Sequence, residues 1–417
     1  MDIHTLYTIA FYLALFFGFY MAWNVGANDV ANAMGTSVGS KAVTLFQAVL
    51  IASIFEFSGA FFVGDRVTST IRKGIIDIRF FSNQPEHLMF GMLAALIATC
   101  VWLHLATYKG LPVSTTHSIV GAVIGFGVFT TGVGNIKWMK VVSIVASWII
   151  SPVMGGILAF FIFFFITRKI LYKKYPVRAA STYLPYLIGI LVMVLTMSLV
   201  YKGFKLKISL LPAILYSLLA GVVAFILIKI YFRILWNKSR KDYYKRLADT
   251  EKIFKYMQVA TACYVAFAHG SNDVANAVGP LSAVVAIFNT HSISPNVPVP
   301  SWVLALGGVG IVVGIATYGY KVIKTIGGKI TEITPTRGFS AEFGAATTIL
   351  VCSKMGLPIS TTHTLVGAVI GVGFARGIAA LDLKVIRDIV ISWFVTIPFT
   401  ALITILIYEI FKYAFLG

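Results

Sequence analysis

Long apolar segments, separated by short polar or basic segments, recur along the whole chain. A helix needs about 20 mostly apolar residues to cross the hydrocarbon core of a bilayer, so each such segment predicts a transmembrane helix. We count ten to twelve segments, because several are interrupted by polar residues. The clearest are residues 5–28, 141–167, 184–201, 208–228, 301–320 and 389–408, with 42–64 and 88–108 interrupted only by Glu56 and His104.

The overall composition agrees with a membrane protein. Of the 417 residues, 58% are hydrophobic and 12% are charged, and the mean hydropathy is +0.88. Soluble domains carry roughly 25% charged residues, so the composition argues against a soluble protein. Because the apolar segments are continuous and do not alternate with polar residues, they predict an all-α integral membrane fold rather than a barrel. The first segment lacks a preceding basic region and a small-residue cleavage site, which predicts a retained helix rather than a signal peptide.

Positive charge is concentrated at the ends of the apolar segments. The formal net charge is +19, and two basic stretches, residues 168–178 and 229–255, follow apolar segments. Cytoplasmic loops of membrane proteins carry an excess of Lys and Arg, so both stretches are predicted to face the cytoplasm and its anionic lipids. This distribution argues against nucleic-acid binding. Together with the short loops, it predicts a multi-pass protein of a prokaryotic plasma (inner) membrane, embedded in the lipid bilayer.

Two short phrases occur twice, in the same order. Residues 26–33 read GANDVANA and residues 270–277 read GSNDVANA, a shift of 244 residues between Asp29 and Asp273. The second phrase follows each copy: GLPVSTTH ends at His117 and GLPISTTH ends at His363, a shift of 246 residues. Two motifs that repeat in order at nearly the same distance indicate a duplicated half.

The duplication divides the chain into three parts. The first repeat begins without Lys or Arg, whereas the second begins just after a basic loop, and the two connecting helices return the chain to the side it left. The repeats are therefore predicted to be inverted, related by an axis in the membrane plane. The predicted parts are a first repeat at 1–168, two connecting helices with a basic cytoplasmic loop at 169–254, and a second repeat at 255–417.

The first phrase places amide and carboxylate side chains in apolar sequence. On a helix Asn28 and Asn32 share a face with Asp29 beside it, and Gly26 allows the backbone to open just before them. A broken helix whose carbonyls, amide oxygens and carboxylate converge suits a hard cation such as sodium. Helix packing through small residues is the alternative, but polar groups are costly in a membrane and two copies favour a function. The second copy supplies Gly270, Asn272, Asp273 and Asn276.

The second phrase predicts a helix that begins within the membrane. Pro112 followed by Ser114, Thr115 and Thr116 is typical of a helix N-terminus. The resulting half-helix, in a re-entrant hairpin, would point free amide N–H groups and its positive dipole end at the space that the hydroxyls surround, which is a ready anion site. Hydroxyls that bond back to helix carbonyls are the alternative. The second copy supplies Pro358, Ser360, Thr361 and Thr362.

The lack of Lys and Arg in both phrases has an electrostatic consequence. An anion beside Asp29 or Asp273 would be repelled, since two like charges about 4 Å apart cost roughly 4 kcal/mol at an effective dielectric of about 20. A bound cation, or protons on the aspartates, would make anion binding depend on cation binding, which is the basis of symport. Glu56 and Glu342 are further candidates for cation ligands or proton carriers, because buried carboxylates in membranes are usually functional.

Three histidines adjoin the phrases. His117 and His363 have hydroxyl neighbours but no Cys or acidic residue within the motif, so they predict hydrogen bonds that hold the half-helix rather than a metal site. His269 precedes Gly270, but the first copy has Val25 at the matching position, so it carries little weight in this interpretation.

These residues are similar to those of the inorganic phosphate transporter (PiT) family of secondary transporters, over nearly the whole chain. The resemblance is carried by both duplicated phrases, by TLFQA at 44–48 before IFE at 54–56, and by GFSAE at 338–342. It implies phosphate uptake driven by a sodium or proton gradient through inverted repeats, with Asn28/Asp29 and Asn272/Asp273 central. Some family members have a large insert between the halves, and here there is only the short basic loop, so regulation through an insert is not expected.

The hypothesis is an all-α transporter that imports inorganic phosphate by alternating access. Sodium is favoured over protons as the coupling ion, since amides and hydroxyls ligate sodium but do not titrate. The phosphate-binding candidates are Ser114, Thr115, Thr116, Ser360, Thr361, Thr362, Asn28 and Asn272. The cation-binding candidates are Asp29, Asp273, Asn32, Asn276, Glu56 and Glu342. We expect no enzyme activity and no cofactor beyond the transported ions, and a homodimer is a further hypothesis.

Three alternatives stay open at this point. Protons on Asp29, Asp273 or Glu56 could couple transport instead of sodium. A passive anion channel would need a continuous pore with rings of Lys or Arg, which the acidic phrases do not supply. An enzyme acting on phosphate esters could use the Ser-Thr-Thr-His order as nucleophile and base, but an orienting acid is not evident.

Overall fold

The computed structural model describes residues 3–108, 113–201, 208–235, 243–293, 298–320, 322–323, 333–377 and 383–416. Within these ranges the chain is helical, with a single antiparallel bridge between Ile76 and Ile136, so the all-α prediction is confirmed. Residues 110–112 of the second phrase and 236–242 of the basic loop lie outside the described residues. The helices are α1 (Ile3–Gly39), α2 (Leu45–Val63), α3 (Asp65–Lys73), α4 (Pro85–Tyr108), α5 (Thr115–Thr131), α6 (Trp138–Ile166), α7 (Pro176–Val200), α8 (Leu210–Leu235), α9 (Tyr243–Thr290), α10 (Ser301–Gly314), α11 (Pro335–Lys354), α12 (Thr361–Arg376) and α13 (Leu383–Phe411).

Eight of the described helices are long and apolar enough to cross a membrane. They correspond to α1, α2, α4, α6, α7, α8, α10 and α13. Helix α9 has 48 residues, but its first turns carry the charges of the basic stretch. The protein is therefore a multi-pass membrane protein, with a core of apolar side chains that continues from the first helix to the last.

Helices α4 and α5 form one hairpin and α11 and α12 form another, and the second helix of each hairpin is short. Helix α5 has 17 residues and α12 has 16. At 1.5 Å per residue these helices are about 25 Å long, less than the roughly 30 Å of the hydrocarbon core. Helix α4 packs against α5, and α11 packs against α12. Both lengths agree with the half-helices predicted from the second phrase.

The prediction of a broken helix at the first phrase is wrong. Helices α1 and α9 run without interruption through Gly26 and Gly270. The glycines instead permit close approach of a neighbouring helix, because a Cβ at Gly26 would lie 2.0 Å from the carbonyl oxygen of Ile311. A Cβ at Gly270 would lie 2.0 Å from the carbonyl oxygen of Glu56. A helix is interrupted at a different glycine, Gly64, which separates α2 from α3.

The two glycine contacts are equivalent: in each, the phrase-bearing helix of one half meets a helix of the other half. Gly26 of α1 meets Ile311 of α10, and Gly270 of α9 meets Glu56 of α2. The acidic phrases of α1 and α9 are 244 residues apart, whereas Glu56 and Ile311 are 255 residues apart. A search for a second carboxylate at the spacing of the phrases therefore misses the residue that takes the place of Glu56 in the other half. The position that corresponds to Glu56 is thus apolar in the other half. The inverted orientation of the repeats and their boundaries stay predictions.

Helices α7 and α8 form a peripheral pair between the two halves. They cross closely at two glycines, since a Cβ at Gly189 would lie 3.0 Å from the carbonyl oxygen of Gly221. In the most apolar part of α8 only 17% of the residues are buried. The rest of the described chain therefore leaves most of the surface of α8 uncovered, and the assignment of this helix to a connecting segment outside the repeats stays a prediction.

Candidate functional site

The second phrase begins a helix in both halves. Ser114 is the N-cap of α5, and its Oγ accepts a hydrogen bond from the His117 amide at 3.3 Å. Ser360 caps α12 in the same way, through the His363 amide at 3.3 Å. Each serine is buried, and each cap leaves the hydroxyl hydrogen available to donate. The predicted helix starts are confirmed, and they place two positive dipole ends within the protein core.

Each helix start contacts the acidic phrase of the other half. Asn276 of α9 donates from Nδ2 to Thr115 Oγ1 at 3.1 Å and to Thr116 Oγ1 at 3.2 Å. Asn32 of α1 donates from Nδ2 to Thr362 Oγ1 at 2.7 Å. The structure therefore brings the two phrases of both halves together in one buried cluster, although they are separated by 161 and 330 positions in sequence.

The two aspartates of the acidic phrases lie in this cluster. Thr361 donates to Asp273 Oδ2 at 2.7 Å, and Asn32 donates to Asp29 Oδ1 at 3.3 Å. Within the two acidic phrases, three buried side-chain oxygens have no hydrogen-bond partner among the described residues: Asp29 Oδ2, Asp273 Oδ1 and Asn276 Oδ1. Buried oxygens without donors fit a hard cation, which accepts carboxylate and amide oxygens as ligands.

His269 lies between two carboxylates at the centre of the cluster. Its Nδ1 is 2.9 Å from Glu56 Oε2, and its Nε2 is 2.8 Å from Asp273 Oδ2. Ligand atoms of Asp29, His269 and Asp273 all lie within 4.8 Å of one another. The sequence interpretation gave His269 little weight because Val25 occupies the matching position. The useful signal was its spacing, since four residues before Asp273 is one helical turn away on the same face.

Glu342 forms a second buried site. Its carboxylate accepts hydrogen bonds from Thr36 at 2.6 Å, from Ser37 at 2.6 Å, from Gln258 Nε2 at 2.9 Å and from Thr261. The four donors come from α1 and α9, so this carboxylate on α11 joins the helices that carry the acidic phrases. Three donors reach Oε1 and only Thr261 reaches Oε2, so Oε2 keeps a lone pair for a further ligand. None of these donor residues was singled out from sequence.

The first asparagine of each acidic phrase has a different environment. Asn272 donates to Ser353 Oγ at 3.0 Å and to the Leu357 carbonyl at 3.1 Å, and it accepts from the Ile359 amide at 3.3 Å. It therefore holds the tip of the α11–α12 hairpin. Asn28 is half-buried, and the structure brings it to the same face of α1 as Asn32.

His117 and His363 meet where the two half-helices approach each other. Their ring centroids are 4.9 Å apart, and His117 also contacts the Trp148 ring at 3.9 Å. Trp148 donates from Nε1 to the Pro358 carbonyl at 2.9 Å, across to the other half. These buried rings thus pack the two helix starts against each other.

Comparison with known proteins decides the family. Residues 25–404 match the phosphate transporter family. The chain belongs to this family. A Pyrococcus abyssi protein, named as a candidate phosphate permease, is 49% identical over 398 residues, which cover 95% of this chain and 97% of that protein. A Haemophilus influenzae protein with the same name is 47% identical over 405 residues, 96% of each chain.

A solved structure resembles the whole transporter. It is titled the sodium-dependent phosphate transporter, and it shares 42% identity and a TM-score of 0.92 with this chain. The match covers 97% of this chain and all of that one. The predicted family is confirmed, and the protein is a phosphate transporter rather than an enzyme, so the Ser-Thr-Thr-His order is not a nucleophile and base. The roles of the individual site residues stay predictions.

Proposed function

We propose that this transporter imports inorganic phosphate together with sodium by alternating access. The observation that carries the proposal is the single buried cluster in which two hydroxyl-lined helix starts face two aspartates. Such a cluster combines anion donors with cation ligands. The related solved structure is of a transporter named as sodium-dependent, which supports sodium as the coupling ion.

Phosphate would bind between the two helix starts. The hydroxyls of Ser114, Thr115 and Thr116, with their counterparts Ser360, Thr361 and Thr362, supply donors, and the first-turn amides of α5 and α12 add N–H groups. Thr361 already donates to Asp273 at 2.7 Å, so its hydroxyl reaches the edge of the cation cluster. Asn28 and Asn272 would close the sides of this site, Asn272 through the hairpin tip that it holds.

Sodium would bind at the oxygens of the acidic phrases that have no donor. Asp29 and Asp273, with Asn32 and Asn276, supply carboxylate and amide oxygens, and Glu342 supplies a second carboxylate with hydroxyl oxygens around it. Glu56 acts through His269, which links it to Asp273. The carboxylate, amide and hydroxyl oxygens named here are ligands that hard cations prefer.

The coupling follows from charge. Asp29 and Asp273 belong to a cluster whose ligand atoms lie within 4.8 Å. Two like charges at that distance repel by about 3 kcal/mol at an effective dielectric of about 20. A bound cation removes this repulsion and that between the aspartates and an arriving phosphate. Phosphate affinity therefore depends on sodium, and the linkage is reciprocal.

Alternating access requires that the hairpin tips open toward opposite sides of the membrane in turn. Helix α3 contacts the tip of the α11–α12 hairpin, where Thr70 Oγ1 donates to the Gly356 carbonyl at 2.7 Å. Gly356 adopts a φ of +69°, a conformation that favours glycine. In the proposed cycle this contact breaks when the site opens on the side of α3.

Proton coupling is a second candidate, because Glu56, His269 and Asp273 form a continuous chain of titratable groups. Phosphate uptake into proteoliposomes, with inward sodium and inward proton gradients imposed separately, distinguishes the two. We expect uptake with the sodium gradient alone and its loss in Asp29→Asn. The variant Asp77→Asn, at a partly buried residue that pairs with Arg79 after α3, should retain uptake. Uptake with the proton gradient alone would assign coupling to the titratable chain. Equal uptake without either gradient would refute symport.

A further inference from the structure

A groove of roughly 720 Å³ lies beside the turn that joins α1 to α2, well outside the phosphate and cation cluster. The turn contributes Lys41 and Thr44, α2 contributes Leu50, and α9 contributes Lys255 and Tyr256. The groove therefore opens between α2 and the first turns of α9. No part of the proposed transport cycle uses it.

The groove continues onto a strongly apolar stripe of α2. Phe46 is 77% exposed, Leu50 is 51% exposed and Ile54 is 53% exposed. Their spacing of four residues places all three on one face of the helix. In a membrane this face lies against lipid chains, so an amphipathic molecule in the groove could extend its apolar part along the stripe.

The open end of the groove is positively charged. Lys41 and Lys255 are both exposed, and none of the twelve lining residues is acidic. Lys41 adopts a φ of +59°, which the tight turn after α1 requires. Lys255 belongs to the basic stretch that is predicted to face the cytoplasm. Basic pockets between helices on that side of a membrane bind anionic head groups.

We propose that this groove binds one anionic glycerophospholipid of the cytoplasmic leaflet. Its phosphate contacts Lys41 and Lys255, and one acyl chain follows the Phe46–Leu50–Ile54 stripe. Charge complementarity favours an anionic over a zwitterionic head group, and the apolar stripe favours a lipid over free phosphate. The assignment does not depend on the transported substrate or the coupling ion.

The groove adjoins the second buried carboxylate site, which gives its occupant a route to influence transport. Ser40, next to Lys41, donates to Gln258 Oε1 at 2.7 Å, and Gln258 donates to Glu342 Oε1 at 2.9 Å. Val259, next to Gln258, lines the groove. A lipid that holds the α1–α2 turn against α9 therefore also holds this hydrogen-bonded chain. Phosphate uptake should be faster in bilayers that contain the anionic lipid.

Native mass spectrometry of the purified transporter tests the binding. Dioleoylphosphatidylglycerol and dioleoylphosphatidylcholine are titrated onto the wild type and onto the double variant Lys41→Asn/Lys255→Gln, where Asn tolerates the positive φ. At about 1 kcal/mol for each lysine, the variant should bind phosphatidylglycerol about 30-fold more weakly. The matched control is Lys169→Gln/Lys173→Gln, which removes two exposed lysines from the other basic stretch.

The results of these titrations distinguish between the possible occupants of the groove. Equal phosphatidylglycerol affinity in the groove variant and the control variant would overturn the proposal, as would equal affinity of the wild type for both lipids. Competition by inorganic phosphate that requires Lys41 and Lys255 would assign the groove to free phosphate. Equal affinity for dihexanoyl- and dioleoylphosphatidylglycerol would refute the role of the apolar stripe. Phosphate uptake in bilayers with and without phosphatidylglycerol then measures the effect of the lipid on transport. Lipid binding is measured separately by mass spectrometry, so a preparation without uptake does not change that result.

Discussion

The buried pair of Glu56 and His269 allows a sharp test of how the two halves differ. In α2 and α9 the pair consists of two titratable groups, with 2.9 Å between His269 Nδ1 and Glu56 Oε2, and both side chains are at most 1% exposed. At the corresponding positions of the other half stand Ile311 and Val25, which are both fully buried. The same glycine-mediated helix contact thus occurs once with a carboxylate–imidazole pair and once with two apolar side chains.

We expect each single replacement to destabilise the protein and the double replacement to recover most of the loss. His269→Val leaves Glu56 as a buried charge without its partner, and Glu56→Ile leaves His269 bound to Asp273 alone. Removing one partner of a buried pair costs about 3–5 kcal/mol, whereas replacing both by apolar residues is often neutral. The double variant Glu56→Ile/His269→Val copies the apolar pair of the other half. The coupling energy between the two sites should therefore be about 3 kcal/mol or more.

The assay is the melting temperature of the purified protein in detergent, measured by size-exclusion chromatography after heating. A loss of about 3–5 kcal/mol corresponds to a decrease on the order of 5–10 °C for each single variant. The double variant should melt within about 2 °C of the wild type, since less than about 1 kcal/mol is then lost. A double variant that melts as low as the two single losses combined would refute the reasoning, because the sites would then act independently.

Three further outcomes follow from the site and its packing. Gly270→Val should abolish correct folding, since its Cβ would lie 2.0 Å from a backbone carbonyl, whereas Gly134→Ala, with no atom within 4 Å, should purify normally. Glu342→Gln places an amide N–H₂ among hydrogen-bond donors, so half-maximal uptake should need about tenfold more sodium. An unchanged dependence of uptake on sodium concentration would contradict a role of Glu342 in cation binding. Thr361→Val removes a 2.7 Å hydrogen bond to a carboxylate and should lower phosphate uptake about tenfold or more. Thr361→Ser keeps the hydroxyl and should retain uptake. If the serine variant loses uptake as well, the missing hydroxyl does not explain the loss in the valine variant.

Features that depend on neighbouring residues were predictable from sequence. Pro358 and Ser360 predicted a helix start, and α12 begins at Thr361 with Ser360 as its cap, because capping needs only a side-chain oxygen next to free backbone N–H groups. The apolar segments predicted helices for the same reason, since bilayer thickness and helix rise together set the required length. These signals act within a few turns of one helix.

Features that depend on distant contacts were not predictable, and the interpretation failed at Gly26 and at His269 for different reasons. Gly26 was interpreted as a point where the helix opens, but its function is to admit the Ile311 backbone, which sequence alone could not place nearby. His269 was set aside because Val25 replaces it in the other copy. The structure shows matching close contacts at Gly26 with Ile311 and at Gly270 with Glu56, although only one of them involves a carboxylate. The lack of a symmetric partner was therefore no argument against His269.

The sequence by itself determined that this protein crosses a membrane as helices, that it is duplicated, and that each copy carries an acidic phrase and a hydroxyl-bearing helix start. Composition and short-range periodicity suffice for these conclusions. Only the tertiary structure decided which groups meet: Asn276 with the first helix start, Asn32 with the second, and Glu342 with Thr36 and Ser37, which are 306 and 305 positions away. Such contacts depend on how closely whole helices approach, and that distance is set by the glycines and side chains of both partners together.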